Sequence, residues 1–237
     1  MSIAFISDLH LEPVQSDRLS AFVDFLAEAP EKYDSLYIIG DLFEYWVGDD
    51  DPHPINELIQ NKIKDAHSQG LSIFFIHGNR DFLLGSQFEK NTGLRIVDDM
   101  TVIKDSGISL MIAHGDSFCI DDVEYQELKK SLRSEEWKKD FLQKPIAERI
   151  AFADDLRAKS AESSSNKAEN IMDVNKSYVA EVIEKHKIDF LIHGHTHRPA
   201  IHKLDNGSSR VVLGSWEDEG WVAEYSKGNI ELKSFTI

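Results

Sequence analysis

Seven residues with oxygen or nitrogen donors sit just beyond short apolar runs in this 237-residue chain: Asp8, His10, Asp41, Asn79, His114, His195 and His197. The runs cover residues 3–6, 36–39, 71–76, 109–113 and 189–192. They lead into Asp8-Leu9-His10, Gly40-Asp41, His77-Gly78-Asn79-Arg80-Asp81, His114-Gly115-Asp116 and His193-Gly194-His195-Thr196-His197. Taken singly these are weak signals, since Asp-x-His, Gly-Asp and Gly-Asn are common in turns and a lone His114 reads as a buried, satisfied histidine. Gly-His-Thr-His is sharper, and five such ends in series are hard to explain as packing. A carboxylate such as Asp41 can bridge two cations held about 3.5–4 Å apart. Oxygen and nitrogen donors without a thiolate suit Mn²⁺, Zn²⁺ or Fe²⁺. In extended backbone, the i, i+2 pairs Asp8/His10 and His195/His197 would each point to one side. The glycines before Asp41, Asn79 and His195 permit sharp turns and close approach.

The elements that must position these groups are legible as alternation. The apolar runs read as buried strands. Between them, Leu19, Phe22, Val23, Phe25 and Leu26 share one helical face, as do Ile55, Leu58, Ile59, Ile63 and Ala66 ahead of Gly70. Strand–helix alternation predicts an α/β fold, with ligands gathered beyond the carboxyl ends of the strands. Residues 210–213, 221–225 and 230–235 read as short antiparallel strands completing a second sheet, which predicts a β-sandwich flanked by helices. Residues 122–187 show helical pattern only, with a loop at 160–167, and read as a helical cap between core segments 1–121 and 188–237. No internal repeat or low-complexity linker interrupts the chain.

Composition narrows the class. Hydrophobic residues are 41% and charged residues 29%, as in an ordinary globular protein. A net charge of −16 argues against broad nucleic-acid binding. Cys119 is the sole cysteine, so no intrachain disulfide forms; it reads as a small buried residue in a reducing compartment. The first residues show no secretory pattern and no run spans a bilayer, so the expectation is a cytoplasmic protein whose membrane contact is peripheral.

The ordered series Asp8-x-His10, Gly40-Asp41, Gly78-Asn79, His114 and Gly194-His195-x-His197 resembles the calcineurin-like metallophosphoesterase superfamily, over residues 8 to about 217. The resemblance implies that Asp8, His10, Asp41 and His197 hold one metal and that Asp41, Asn79, His114 and His195 hold the other. It places Asp41, Asn79, Arg80 and His114 in the reaction itself. Where many members carry an acid–base residue after Gly-Asn, this chain has Arg80, which cannot give up its proton but suits a phosphate oxygen. That favours a leaving group of low pKa, as in a pyrophosphate.

Longer stretches, Gly40-Asp41-Leu42-Phe43-Glu44 with Trp46, residues 76–85, Ile171-Met172-Asp173-Val174-Asn175 and residues 192–199, resemble the family of UDP-2,3-diacylglucosamine pyrophosphohydrolases. The resemblance implies two Mn²⁺ ions and attack of a metal-activated water on the α-phosphorus. The products would be UMP and 2,3-diacylglucosamine 1-phosphate, a step of lipid A synthesis at the cytoplasmic face of the inner membrane. It implies a lipid-linked sugar nucleotide as substrate, no nucleic acid and no obligate protein partner. Substrate contacts would come from Asn79, Arg80, Asp122, Ser160, Ser164, Lys167 and His195, with Lys167 and Arg80 neutralising phosphate charge. Ser164 stands where the family has Asn.

Residues 126–159 hold nine Lys or Arg and seven Asp or Glu, a local +2 in an acidic chain, together with Leu128, Leu132, Trp137, Phe141, Leu142, Ile146, Ile150 and Phe152. Helices of this kind suit acyl chains and an anionic surface, though most of these side chains must simply pack the insertion. Glu44 reads as orienting a metal ligand. Asp49, Asp50 and Asp51 read as solvated turn residues, and His53, His67, His186 and His202 as surface residues. Two rivals remain open: a generic phosphodiesterase or phosphatase on the same metals, and a scaffold that has lost catalysis.

Overall fold

The computed structural model describes residues 1–12, 14–166 and 172–237, with backbone alone for 161–166. Ser164 and Lys167 therefore fall outside the described side chains, and Ile171 outside the described residues.

Five strands begin as the apolar runs predict: β1 (Ser2–Ile6), β2 (Ser35–Ile39), β3 (Ser72–Ile76), β6 (Ile108–Ala113) and β7 (Phe190–His193). Both faces of these strands are buried, which is why they read as continuous rather than alternating apolar sequence. In β1, Ile3 and Phe5 point between the two sheets, while Ala4 and Ile6 point toward the helices. The first sheet has the order β11-β10-β1-β2-β3-β4, with β4 at Arg95–Ile96, β10 at Glu219–Ser226 and β11 at Asn229–Thr236. The second has the order β5-β6-β7-β9-β8, with β5 at Thr101–Asp105, β8 at Ala200–Lys203 and β9 at Ser209–Val212.

The sheets face one another across Tyr37, Ile39 and Ile76 on one side and Leu110, Ile112, Ile192 and Val211 on the other. On the outer face of the first sheet lie α1 (Asp17–Lys32), α2 (Pro54–Ser68) and α3 (Ser86–Thr92). Ser16 Oγ caps α1 by accepting from Leu19 N–H, and Leu19, Phe22, Leu26 and Ala29 form its buried stripe. The outer face of the second sheet is covered by α7 (Lys176–His186) through Val179, Val182 and Ile183. The result is an α/β fold, as the alternation predicted, built as a β-sandwich flanked by helices.

Between β6 and β7 the described residues form α4 (Val123–Leu132), α5 (Glu135–Leu142) and α6 (Ile146–Asn166) before α7, and no strand. No described helix is long and apolar enough to cross a membrane.

Three expectations need correction. Of the C-terminal strands, only β9 joins the second sheet; β10 and β11 extend the first, with β10 antiparallel to β1. Strand pairing is a tertiary choice, and the local pattern of a strand does not name its neighbour. The loop expected at 160–167 is helix as far as Asn166, because Ala158, Ala161 and Glu162 offset the small helix penalty of the serines. Asp49 and Asp51 are structural rather than solvated, and Asp50, though exposed as expected, also has a structural partner. Asp49 accepts the N–H groups of Gly85, Gln87 and Phe88 at the start of α3, Asp50 pairs with Arg149, and Asp51 accepts from Asn56.

Candidate metal centre

β1, β2 and β3 are parallel neighbours in one sheet and β6 and β7 in the other, so their carboxyl ends open on one edge of the sandwich. That edge gathers Asp8, His10, Asp41, Asn79, His114, His195 and His197. The i, i+2 pairs reach it by a different route from the extended one expected. Asp8 (φ 55°), His10 (φ 49°), His195 (φ 66°) and His197 (φ 53°) are all left-handed, as is Asp41 (φ 53°). Such a conformation costs a non-glycine residue about 1 kcal/mol or more, and clusters at sites that need it.

The donor atoms fall into two groups around Asp41. Its Oδ2 lies 3.8 Å from His10 Nε2 and 3.7 Å from His114 Nε2. On the first side, Asp8 Oδ1 faces His197 Nε2 at 3.4 Å, and the His10 and His197 rings stand 5.4 Å apart. On the other, Asn79 Oδ1 lies 3.0 Å from both His114 Nε2 and His195 Nδ1. Asp8, His10 and His197 form one set with donor atoms within 4.8 Å of one another, and Asp8, Asp41 and His114 another.

The outward atoms of four of these residues are held. Asp8 Oδ2 accepts from Ser7 Oγ and His195 N–H, and Asp41 Oδ1 accepts from Arg80 N–H. His10 Nδ1 lies 2.8 Å from Glu44 Oε2, the orienting contact expected of Glu44, and His114 Nδ1 donates to Ile39 O at 2.9 Å. Each of these bonds leaves the opposite atom facing inward. Asp8 Oδ1 and His10 Nε2 are buried and have no hydrogen-bond partner among the described residues. Orphaned anionic and imidazole donors aimed at one space, with Asp41 between two histidines, fit divalent cations. Gly78 shows how tight the packing is, since a Cβ there would collide with the carboxylate and amide of Asp41.

Charge is balanced by protons in the metal-free protein. Burial pushes the Asp8 carboxyl up, but the adjacent His197, with the charges of His114 and His10, outweighs it and holds it below its usual range. Burial would strip His114 of its proton, yet Asp41, Asp116 and Asp8 raise it to about 9. Burial and the charge of His114 push His195 down to about 4.

Two carboxylates without an assigned role turn out to organise the site. Asp81 is fully buried and accepts from Gly78 N–H (2.9 Å), Leu42 N–H (2.8 Å) and Asp41 N–H (3.3 Å), tying the ends of β2 and β3 together. Burial and the neighbouring Asp41 push its carboxyl up to about 7. Asp116 accepts from Tyr125 Oη (2.6 Å) and pairs with Lys129 (2.9 Å) and Arg133 (3.2 Å), fastening α4 beside His114. Both lie in the strand-end motifs, but nothing local distinguishes them from turn carboxylates.

A cleft with about 780 Å³ of empty space, including that open to solvent, runs from Asn79 and Arg80 to the aromatic residues of the helical segment. Trp137 stacks on Phe141 at 4.5 Å, and Phe152 closes the cluster at 5.2 Å from Phe141. Ser160 lines the cleft beside Arg80, Tyr125 and Arg157. Asp122 does not line it; it caps α4 by accepting from Tyr125 N–H. Arg157 reaches Glu44 at 2.8 Å, so the helical segment touches the group that orients His10.

Residues 1–199 match the family described as calcineurin-like phosphoesterase. A UDP-2,3-diacylglucosamine hydrolase of Yersinia pseudotuberculosis serotype O:1b is 40% identical over 238 residues, covering 99% of each chain. The hydrolase of the same name from Salmonella paratyphi B is 41% identical over 240 residues, covering 100% of each. Among solved structures, an archaeal phosphodiesterase superposes with a TM-score of 0.51 at 13% identity, over 99% of this chain and 100% of its own, a likeness of fold alone.

Proposed function

The chain belongs to the calcineurin-like phosphoesterase family, and on that premise we propose that it hydrolyses UDP-2,3-diacylglucosamine to UMP and 2,3-diacylglucosamine 1-phosphate. The observation that carries the reading is one cleft with two chemistries. Asn79 and Arg80 stand at the metal-facing end, and Trp137, Phe141 and Phe152 stand at the other. A substrate with a pyrophosphate and acyl chains fits that polarity. A generic diester leaves the apolar end without a purpose.

In this reading Asp8, His10, Asp41 and His197 would hold one cation, and Asp41, Asn79, His114 and His195 a second, both Mn²⁺. When bound, such a pair supplies a nucleophile from water near neutral pH and neutralises charge on the phosphates. The chain's own residues do the rest. Glu44 and the Ile39 carbonyl fix the imidazoles of His10 and His114. Arg80 offers a planar fork to a phosphate oxygen, and Ser160, Ser164 and Lys167 would complete the contacts to the sugar phosphate. Trp137 and Phe141 would line the acyl chamber and exclude water from it. Residues 122–187 would form a cap over a core of residues 1–121 and 188–237. Exposed Leu128, Leu142 and Phe152 beside the lysines of α4 and α5 favour peripheral contact with the cytoplasmic face of the inner membrane.

The test is UMP release from UDP-2,3-diacylglucosamine with Mn²⁺, with and without chelator, beside bis(p-nitrophenyl) phosphate. Manganese-dependent UMP release with slow turnover of the generic diester is expected. Cleavage of the generic diester alone would discard the lipid substrate and keep the metal site.

Metal uptake carries its own pH signature. His114 must lose its proton before Nε2 can bind a cation, and the metal-free protein holds that proton up to about 9. Mn²⁺ binding at pH 8 should therefore release at least one proton, and affinity should fall as pH drops below 9. Titration calorimetry in buffers of different ionisation enthalpy reads the proton directly, and a count near zero at pH 8 would show that His114 is already neutral there. The sign for folding is opposite. The raised value stabilises the metal-free fold fully below about 6.5, and that contribution is lost as pH rises through about 9.

A further inference from the structure

Helix α6 presents one stripe to the cleft: Phe152, Ala153, Leu156, Arg157 and Ser160. Arg149 stands one turn earlier on that stripe, outside the cleft, and is only 2% exposed. Its guanidinium is engaged at every nitrogen. Nε donates to Lys144 O (3.0 Å), Nη1 to Val47 O (2.7 Å) and Asp50 Oδ1 (2.7 Å), and Nη2 to Asp50 Oδ2 (2.5 Å). Gly48, at φ 137°, makes the approach possible, because a Cβ there would collide with Nη1.

The turn that Arg149 grips continues the opposite wall of the same cleft. Glu44, Tyr45, Trp46 and Val47 line that wall. Trp46 Nε1 donates to Asp49 Oδ1 at 3.0 Å, and Asp49 in turn holds the start of α3. One buried cation thus joins the helix forming one wall to the turn forming the other. Hydrogen bonds from a rigid planar fork to a carbonyl and a carboxylate fix distance and rotation together, which a point charge does not.

We propose that Arg149 is a positioning residue that sets the width of the cleft through the 47–50 turn, and with it the acyl-chain length accepted. The proposal rests on the reading of the substrate as a diacylated sugar nucleotide. It touches neither the metal centre nor the reacting atoms, so its effect belongs to KM and chain-length preference rather than to the chemical step.

The experiment compares Arg149→Met and Asp50→Ala with the unaltered protein on UDP-diacylglucosamines of long and short acyl chains. Bis(p-nitrophenyl) phosphate serves as a probe of the metals alone. Arg149→Met should raise KM for the long-chain substrate about tenfold and shrink the long-to-short preference, with kcat and diester turnover held within about twofold. Metal content should not change. Asp50→Ala truncates an exposed partner and should shift KM in the same direction, so the test survives if Arg149→Met fails to fold. An equal loss on all three substrates would mark a purely structural role and overturn the proposal, as would an unshifted KM in both variants. Failure of the unaltered protein to cleave any acylated sugar nucleotide would instead bring down the substrate reading, and the chain-length assignment with it.

Discussion

Asp41→Asn is expected to lose both metals and to lower hydrolysis by about 10³-fold or more, since a shared anionic ligand and the charge stabilisation it supports disappear together. The geometry leaves the substitution no harmless orientation. Asp41 is 2% exposed, with Oδ1 accepting from Arg80 N–H at 2.9 Å and Oδ2 set between His10 and His114. If the amide oxygen keeps the Arg80 bond, the amide nitrogen points its hydrogens at the place where a cation would sit. If it turns round, two donors meet at Arg80 N–H. Elemental analysis of metal content beside the rate of UMP release decides the matter. Full metal content with a normal rate would remove Asp41 from the bridging role.

Arg80→Ala should act on rate without acting on metal, lowering kcat by about 10²-fold or more through lost stabilisation of phosphate charge. The backbone of Arg80 is pinned on both sides, its N–H to Asp41 Oδ1 and its carbonyl accepting from Trp46 N–H at 3.1 Å. Truncating the side chain therefore leaves the loop, and the ligands beside it, in place. The side chain itself points into the cleft, and its Nε has no hydrogen-bond partner among the described residues. A half-buried arginine beside a metal site, with its Nε unpaired, is suited to an oxyanion. Arg80→Lys should recover only part of the rate, because an ammonium supplies charge without the fork. The check is kcat with metal content measured on the same samples; loss of metal in Arg80→Ala would make the residue structural.

These two outcomes separate what a ligand does from what a phosphate contact does, and both residues were readable before any coordinates. Asp41 stands after an apolar run and a glycine, and Arg80 follows Gly78-Asn79 at the end of another. Such motifs are contiguous in sequence, so the donor types and their order are visible. The same holds for the sandwich core, where strands buried on both faces announce themselves as unbroken apolar runs. The helices flanking them show their stripes because a helix repeats locally.

What escaped depends on contacts between distant parts of the chain. Asp81 looks like any turn aspartate until three N–H groups from β2 and β3 are seen to converge on it. Arg149 looks like one cation among nine in an amphipathic segment until it is found buried against residues some hundred positions away. Asp49 and Asp51 looked solvated, and Asp50 unpaired, for the same reason: their partners lie on α2, α3 and α6. Even the i, i+2 ligand pairs were readable only as pairs. Their left-handed backbone is imposed by hydrogen bonds between loops, as when His10 N–H donates to Asp41 O and Asp8 N–H to Gly40 O.

The sequence by itself determined the candidate donors and their order, the buried strands that carry them and the helical segment beside them, because each is a pattern within a few neighbouring residues. Only the tertiary structure decided which sheet received β10 and β11, how α6 is fastened to the core and which atoms face the metal space. Those are choices among pairings of comparable local energy, settled by burial and by hydrogen bonds that close across the whole chain.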